Sequence, residues 1–313
     1  MKTIRLAAIV CLIALLGGAC RNVNGGGGDT ATVAEQTEPQ SLPMPEIPTE
    51  LTDSYERMKY ALSHYWDKMN WRDTMLLNND AYMEQSMANY LFILSHADSL
   101  MASKAVNRML ASASVNPKAL AKLTEMASRY LYEPESPMYN AESYAILLDQ
   151  LMLDPTNSGI SREKMIHDHT GIMKNRVGNN ASDFRFVDAK GRTGTLTEAT
   201  KGARQTILIF YDPDCNVCEA VEKRLAESQR LNDMLAAGTL RIVAIDPFDG
   251  DRTKWTEHAA TLPSDWIVGY SPDGAIDENE TYVIRATPAV YLLDGDMTVI
   301  EKDADDATIA TWL

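Results

Sequence analysis

Two cysteines three positions apart, Cys215 and Cys218, sit where one kind of hydrophobic pattern gives way to another. Upstream, Thr206 to Tyr211 is a β-rich apolar run, the pattern of a strand covered on both faces. Downstream, Val221, Leu225 and Leu231 are the apolar positions of a segment that reads as helix. A strand that feeds a helix through Asp212-Pro-Asp-Cys-Asn-Val-Cys218 puts the first cysteine at the helix mouth. Free N–H groups and the positive end of the helix dipole favour a thiolate there. The second thiol lies one turn inside and can reach back to the first. Such a pair can attack a disulfide and resolve the mixed disulfide internally. Cys215 is the expected nucleophile and Cys218 the expected resolver.

The chain has four cysteines. Cys11 falls in a segment that reads as a signal peptide and Cys20 just after it is the expected lipid site, so Cys215 and Cys218 are the thiols left for the folded part. A bridge between them closes almost no loop, which makes a stabilising role a poor explanation. Redox chemistry and metal binding fit the spacing better. Zinc normally takes four protein ligands, and neither a second CxxC nor a nearby histidine is present. No metal is expected. An inert structural pair stays open as a third reading.

Lys2 and Arg5 precede an almost purely apolar run, Leu6 to Leu16, too short to cross a membrane and suited to a secretory signal. It ends in Leu16-Gly-Gly-Ala-Cys20, small residues before a cysteine, as lipoprotein processing requires. Residues 1–19 are therefore expected to be a signal peptide, with Cys20 lipidated and 20–50 a flexible linker. Gly25 to Gly28 and Pro39, Pro43, Pro45 and Pro48 suit a tether that buries no core. A lipid on a tether implies a domain held off a membrane surface in the periplasm or cell envelope. The formal net charge is −15, and loss of Lys2 and Arg5 makes it more negative. An acidic surface disfavours nucleic acid as a partner.

Residues 51–177 read as a bundle of five or six helices. Leu51, Tyr55, Met58, Leu62, Tyr65 and Met69 form one stripe, and Tyr82, Met83, Met87, Tyr90, Leu91 and Leu94 another. Asn116-Pro117 is a helix start. Tyr144, Leu147, Leu148 and Leu151 make a further stripe that Asp154-Pro155 stops, and a weaker one spans 161–175. The methionines and tyrosines read as core rather than as a binding groove. His167 and His169 point to different faces of a helix and do not suit one metal.

From residue 178 to 313 the pattern is α/β. Phe184 to Asp188 and Thr193 to Leu196 form a hairpin. Strands follow at 206–211 and 240–245, a short extended segment at 266–270, and strands at 289–293 and 298–301 around a Gly295 turn. This predicts a mixed sheet with flanking helices.

Three segments, Ala181-Ser-Asp-Phe-Arg-Phe-Val-Asp-Ala-Lys-Gly191, Ile207 to Cys218, and Arg285-Ala-Thr-Pro-Ala-Val-Tyr-Leu-Leu-Asp294, resemble the thioredoxin superfamily. Within it they are most similar to the TlpA/ResA-like membrane-tethered thiol–disulfide reductases. The resemblance covers residues 178–313. It implies a thioredoxin-like fold and a thiol–disulfide oxidoreductase that acts on protein disulfides without a cofactor. It also implies a membrane-linked electron donor. It assigns Pro288 the role of a cis-proline against the two sulfurs, with Thr287 before it offering backbone groups to an extended substrate. The helical part resembles regions that precede such domains in envelope lipoproteins and is expected to select or position the partner.

The pattern departs from the family at two places. Asp214 replaces the aromatic residue common before the first cysteine. Ile209 stands where thioredoxin carries a buried Asp on the strand into the motif, so the usual proton acceptor is absent. Asp212, Asp214 and Glu219 are the nearby acids that could relay protons. Their charge opposes the thiolate at Cys215 and predicts a reductase or isomerase-like poise, nearer about −270 mV than about −120 mV. A thiol peroxidase is a second reading, weakened because Asp212-Pro-Asp-Cys215 lacks the hydroxyl such sites place near the cysteine. A non-catalytic envelope scaffold is a third.

Overall fold

The computed structural model describes residues 41–153, 159–248 and 250–313. The expected signal peptide, Cys20, the linker up to residue 40 and the Asp154-Pro155 stop lie outside the described residues.

Among the described residues seven α-helices come first: α1 (Ser54–His64), α2 (Thr74–Leu77), α3 (Asp80–Leu94), α4 (Ser99–Ala113), α5 (Pro117–Tyr132), α6 (Ala141–Leu153) and α7 (Arg162–Met173). Asp53, Asp73, Asn79, Asp98, Asn116 and Ser161 each accept a first-turn backbone N–H with the side chain. Such caps satisfy donors that a helix start otherwise leaves unpaired. The stripe expected over Leu51–Met69 is helical only as far as His64, because the chain then turns through Asp67 N–H to His64 O and Met69 N–H to Trp66 O. The α4 helix had no clear stripe of large residues. Its buried face is Met101, Ala102, Ala105, Val106, Met109, Leu110 and Ala113, and alanines give a weak periodic signal. Residues 41–50 had been expected in the linker, yet Leu42 is only 2% exposed and its N–H donates to Ser86 Oγ at 2.8 Å. One apolar side chain in a stiff, proline-rich segment is enough to dock it against α3. Tyr65, Met83, Met87, Tyr90 and Tyr144 are fully buried in one continuous core, as the packing reading of the Met and Tyr stripes requires.

The second half begins with β1 (Arg185–Asp188), β2 (Thr193–Thr195), α8 (Leu196–Thr200) and β3 (Gln205–Phe210). It continues through α9 (Asn216–Glu227), α10 (Gln229–Ala236), β4 (Leu240–Asp246), α11 (Arg252–Ala259) and β5 (Ile267–Tyr270). A 3₁₀ turn at Pro272–Gly274 leads to α12 (Ala275–Glu278), β6 (Ala289–Asp294), β7 (Val299–Glu301) and α13 (Asp306–Ala310). The strands form one sheet in the order β2-β1-β5-β4-β3-β6-β7, with β3, β4 and β5 parallel and the others antiparallel to their neighbours. This is the expected mixed sheet with flanking helices. The segment from Cys218 to Leu231 is two helices rather than one. Ser228 ends α9 and caps α10 with its Oγ.

The strand β3 is central and buried on both sides. Leu208 and Phe210 face a cluster with Phe184, Val243, Tyr282 and Tyr291. Ile207 and Ile209 face the opposite cluster with Cys218, Val221, Leu225, Ile242 and Trp255. Period-two alternation thus assigns Cys218 to the α9 face of the sheet.

Helical and sheet parts are joined by polar ties, and the described residues make one compact unit. Lys302 Nζ donates to the carbonyls of Ile172 and Lys174 at 3.2 and 2.7 Å, and Asn175 Nδ2 donates to Thr281 O at 2.8 Å. Burial pushes the Lys302 ammonium below its ordinary pKa.

Close packing inside the sheet makes Gly269 in β5 irreplaceable. A Cβ there would lie 2.5 Å from Phe186 Cδ2 and 3.0 Å from Val187 O. Gly269→Ala is expected to cost about 1–3 kcal/mol by overpacking. Urea unfolding checks this, and an unchanged midpoint would contradict the β1–β5 packing.

Candidate active site at the mouth of helix α9

The chain leaves β3 through Tyr211, whose N–H donates to Ile245 O at 3.1 Å. It then turns sharply. Asp212 Oδ1 accepts from Asp214 N–H at 2.8 Å and Asp212 O accepts from Cys215 N–H at 3.0 Å. Pro213 fixes its own φ inside this turn. The helix begins at Asn216 with Cys215 as its N-cap. Cys215 Sγ accepts from Cys218 N–H at 3.1 Å, taking the place an oxygen holds in an ordinary cap.

Cys215 and Cys218 form a disulfide, with Cα atoms 5.3 Å apart. Their exposures differ. Cys215 is half-buried at the surface, whereas Cys218 is completely buried. An incoming sulfur therefore meets Cys215 first. Antiparallel pairing of Phe210 with Ala289 carries the start of β6 to the same end of the sheet. The Thr287–Pro288 bond is cis, and Thr287 O lies 3.5 Å from Cys215 Sγ. Residues separated by 72 positions thus meet at one sulfur.

The three acids named from sequence are placed differently from one another. Asp212 builds the turn. Asp214 is exposed and its carboxylate is 2.6 Å from Lys254 Nζ on α11. Glu219 is exposed on the first turn of α9. The charge of Asp214 is therefore compensated, which weakens its opposition to a thiolate at Cys215. Neither exposed acid is buried with Cys218.

Another acid is. Glu222 lies one helical turn beyond Cys218 and is only 3% exposed. Its Oε2 is 3.0 Å from His258 Nε2 of α11, and the imidazole ring packs 5.0 Å from the Tyr211 ring. Glu222 Oε1 has no hydrogen-bond partner among the described residues. A buried carboxylate with a spare lone pair is costly unless it serves something. The sequence held one sign of it: Glu222 interrupts the buried stripe Cys218, Val221 and Leu225. Nothing in the sequence pointed to His258, which arrives from a different helix.

Lys254 and His258 stand four residues apart and lie on one face of α11. The helix clamps the turn before Cys215 with one charge and the helix after Cys218 with the other. Among the described residues no group of three or more His, Cys, Asp or Glu side chains is placed to hold a metal. His169 faces Asp149 and His167 faces Glu280, in separate pairs.

The amino-terminal half is matched by a family model described as a domain of unknown function, DUF5106, over residues 19–175. The chain belongs to the DUF5106 family. No curated protein matches it. Among solved structures, a thioredoxin-like protein from Bacteroides caccae superposes with a TM-score of 0.80 and 29% identity, over 87% of this chain and 97% of that one. That likeness spans the helical and sheet parts together, and the fold of this DUF5106 chain is thioredoxin-like in its second half. A conserved protein of unknown function from Bacteroides fragilis is 40% identical over 44% of this chain and 98% of that one, with a TM-score of 0.41. The thioredoxin domain of a thiol-disulfide oxidoreductase from Bacteroides vulgatus is 19% identical over 43% of this chain and 93% of that one, with a TM-score of 0.38.

The Glu222 carboxylate beside it holds the His258 imidazole above its ordinary pKa, against the opposing effect of burial. The stability this supplies is complete below about pH 6.5, the ordinary value, and fades as pH rises through the raised one. An NMR titration of His258 should give a midpoint above about 6.5, lowered by Glu222→Gln. A wild-type midpoint at or below that value would contradict the pair.

Proposed function

We propose that this protein is a thiol–disulfide oxidoreductase acting on protein disulfides in the periplasm, tethered to a membrane by a lipid on Cys20. The observation that carries the reading is the unequal pair of sulfurs, one open at a helix mouth and one buried behind it. The Cys215 thiolate attacks one sulfur of a substrate disulfide. That S–S bond breaks, a mixed disulfide forms and the other substrate sulfur leaves as a thiolate. Cys218 then attacks Cys215 Sγ, re-forming the internal disulfide and releasing the second substrate thiolate. Two electrons pass to the substrate, and a membrane-linked donor restores the dithiol.

The resolving step needs Cys218 to lose a proton inside the core. Glu222, buried one turn away with a free lone pair, fits that task better than Asp212, Asp214 or Glu219. His258 Nε2, 3.0 Å from Oε2, holds the carboxylate in place. Pro288 and Thr287 supply the wall against which an extended substrate lies, with Thr287 offering backbone groups. With Asp214 compensated by Lys254, the charge of Glu219 on the first turn of α9 is what still supports a reductase or isomerase-like poise, and a midpoint potential above roughly −150 mV would contradict it. Lys254→Gln frees the Asp214 charge, destabilises the thiolate and moves the potential to a more negative value.

Reduction of insulin by dithiothreitol tests the reading. The protein should accelerate it, and Cys215→Ser should abolish the effect. Equal activity in both would favour the scaffold reading. Glu222→Gln should slow resolution on the order of 100-fold, the low end for a positioned base. It should also make the mixed disulfide on Cys215 accumulate in quenched samples. Rapid resolution in that variant would remove Glu222 from the mechanism.

A further inference from the structure

A cleft of about 580 Å³ opens between helices α5 and α7 and the loop that leads to Thr287. Tyr132 and Val283 wall it, and Arg285 enters it from the loop. The Arg285 guanidinium lies over the Tyr132 ring, 3.6 Å from its centroid. Tyr132 is itself buried and stacked on Tyr144 at 4.7 Å. A guanidinium held against a buried ring has fewer orientations open to its fork of donors.

The charges around it are unevenly spent. Asp168 is buried and already takes Tyr144 Oη at 3.0 Å and Lys164 Nζ at 2.6 Å. His167 stands 3.8 Å from Glu280. Asp303, in the small neighbouring cavity, accepts from Tyr139 Oη at 3.2 Å. Glu163, on the first turn of α7, is exposed and opposes an anion. Arg285 has no carboxylate within ion-pair distance among the described residues, although Asp303 lines the small cavity with it and feels its charge. On a chain of net charge −15, a guanidinium without a direct ion pair among the described residues near the redox site is against the general trend.

Position gives it meaning. Arg285 precedes Thr287 by two residues, so the two Cα atoms are at most about 7 Å apart. Thr287 O touches Cys215 Sγ at 3.5 Å. A polypeptide lying along Thr287 with its cysteine at Cys215 therefore reaches the cleft within two or three residues.

We propose that this cleft is a substrate subsite in which Arg285, braced on Tyr132, binds the carboxylate of a Glu or Asp side chain two or three residues from the substrate cysteine. The subsite rests on the exchange reaction proposed above and gives the helical part a role in it. It is built from both halves of the chain, with Tyr132 from the helices and Arg285 from the sheet.

The test uses the full chain, dithiothreitol as reductant and two disulfide peptides that differ only by Glu or Gln near the cysteine. Wild type should favour the Glu peptide in kcat/KM by roughly tenfold, what one charge-assisted, forked contact supplies. The preference should vanish in Arg285→Gln and persist in part in Arg285→Lys. Wild type that reduces both peptides equally overturns the subsite and leaves the exchange reaction standing. A Glu preference that survives in Arg285→Gln also overturns it. Reduction of neither peptide overturns the exchange reaction itself. Because the wild-type comparison needs no substitution, a poorly folded variant does not blunt the test.

Discussion

Everything at the site hangs on where helix α9 starts. The strand β3 is pinned on both edges, by β4 and by β6, so the point at which the chain leaves the sheet is fixed. The Asp212 turn then has room for little except a helix whose first residue is Asn216. Cys215 becomes the cap, its sulfur receiving the Cys218 N–H. From that one placement follow the partial positive charge at Cys215, the burial of Cys218 on the apolar face, and the approach of the Thr287 carbonyl from β6.

The electrostatic setting is made by α11. Its Lys254 neutralises the acid just before Cys215, and its His258 pairs with the acid just behind Cys218. Exposed pairs such as Lys254–Asp214 add little to stability. Their effect is on the balance of charge at the sulfur. The buried pair is a different matter, because removing one partner of a buried pair leaves the other without its counter-charge. The helix thus sets an imidazole against the carboxylate that packs behind Cys218.

Much of the fold was legible because period-two and helical patterns survive in a sheet covered on both faces and in stripes of large residues. The strands around Thr206–Tyr211 and Leu240–Ile245 are examples. What escaped was written in weaker signals. The α4 helix packs through alanines, the break at Ser228 depends on a single hydroxyl cap, and Leu42 docks a segment whose composition suggests a tether. At the site, Cys215, Cys218 and Pro288 could be read because local order places them. Glu222 with His258, and Tyr132 with Arg285, could not. Each is a meeting of residues from separate elements, fixed by how α11 lies against α9 and how the helices lie against the loop before β6.

The central claim is that the helix mouth divides the labour between the two sulfurs. Limited alkylation of the reduced protein measures that division directly. One equivalent of iodoacetamide at neutral pH, followed by peptide mass mapping, should place nearly all the label on Cys215 and leave Cys218 free. Label on Cys218, or an even split between the two, would contradict the account.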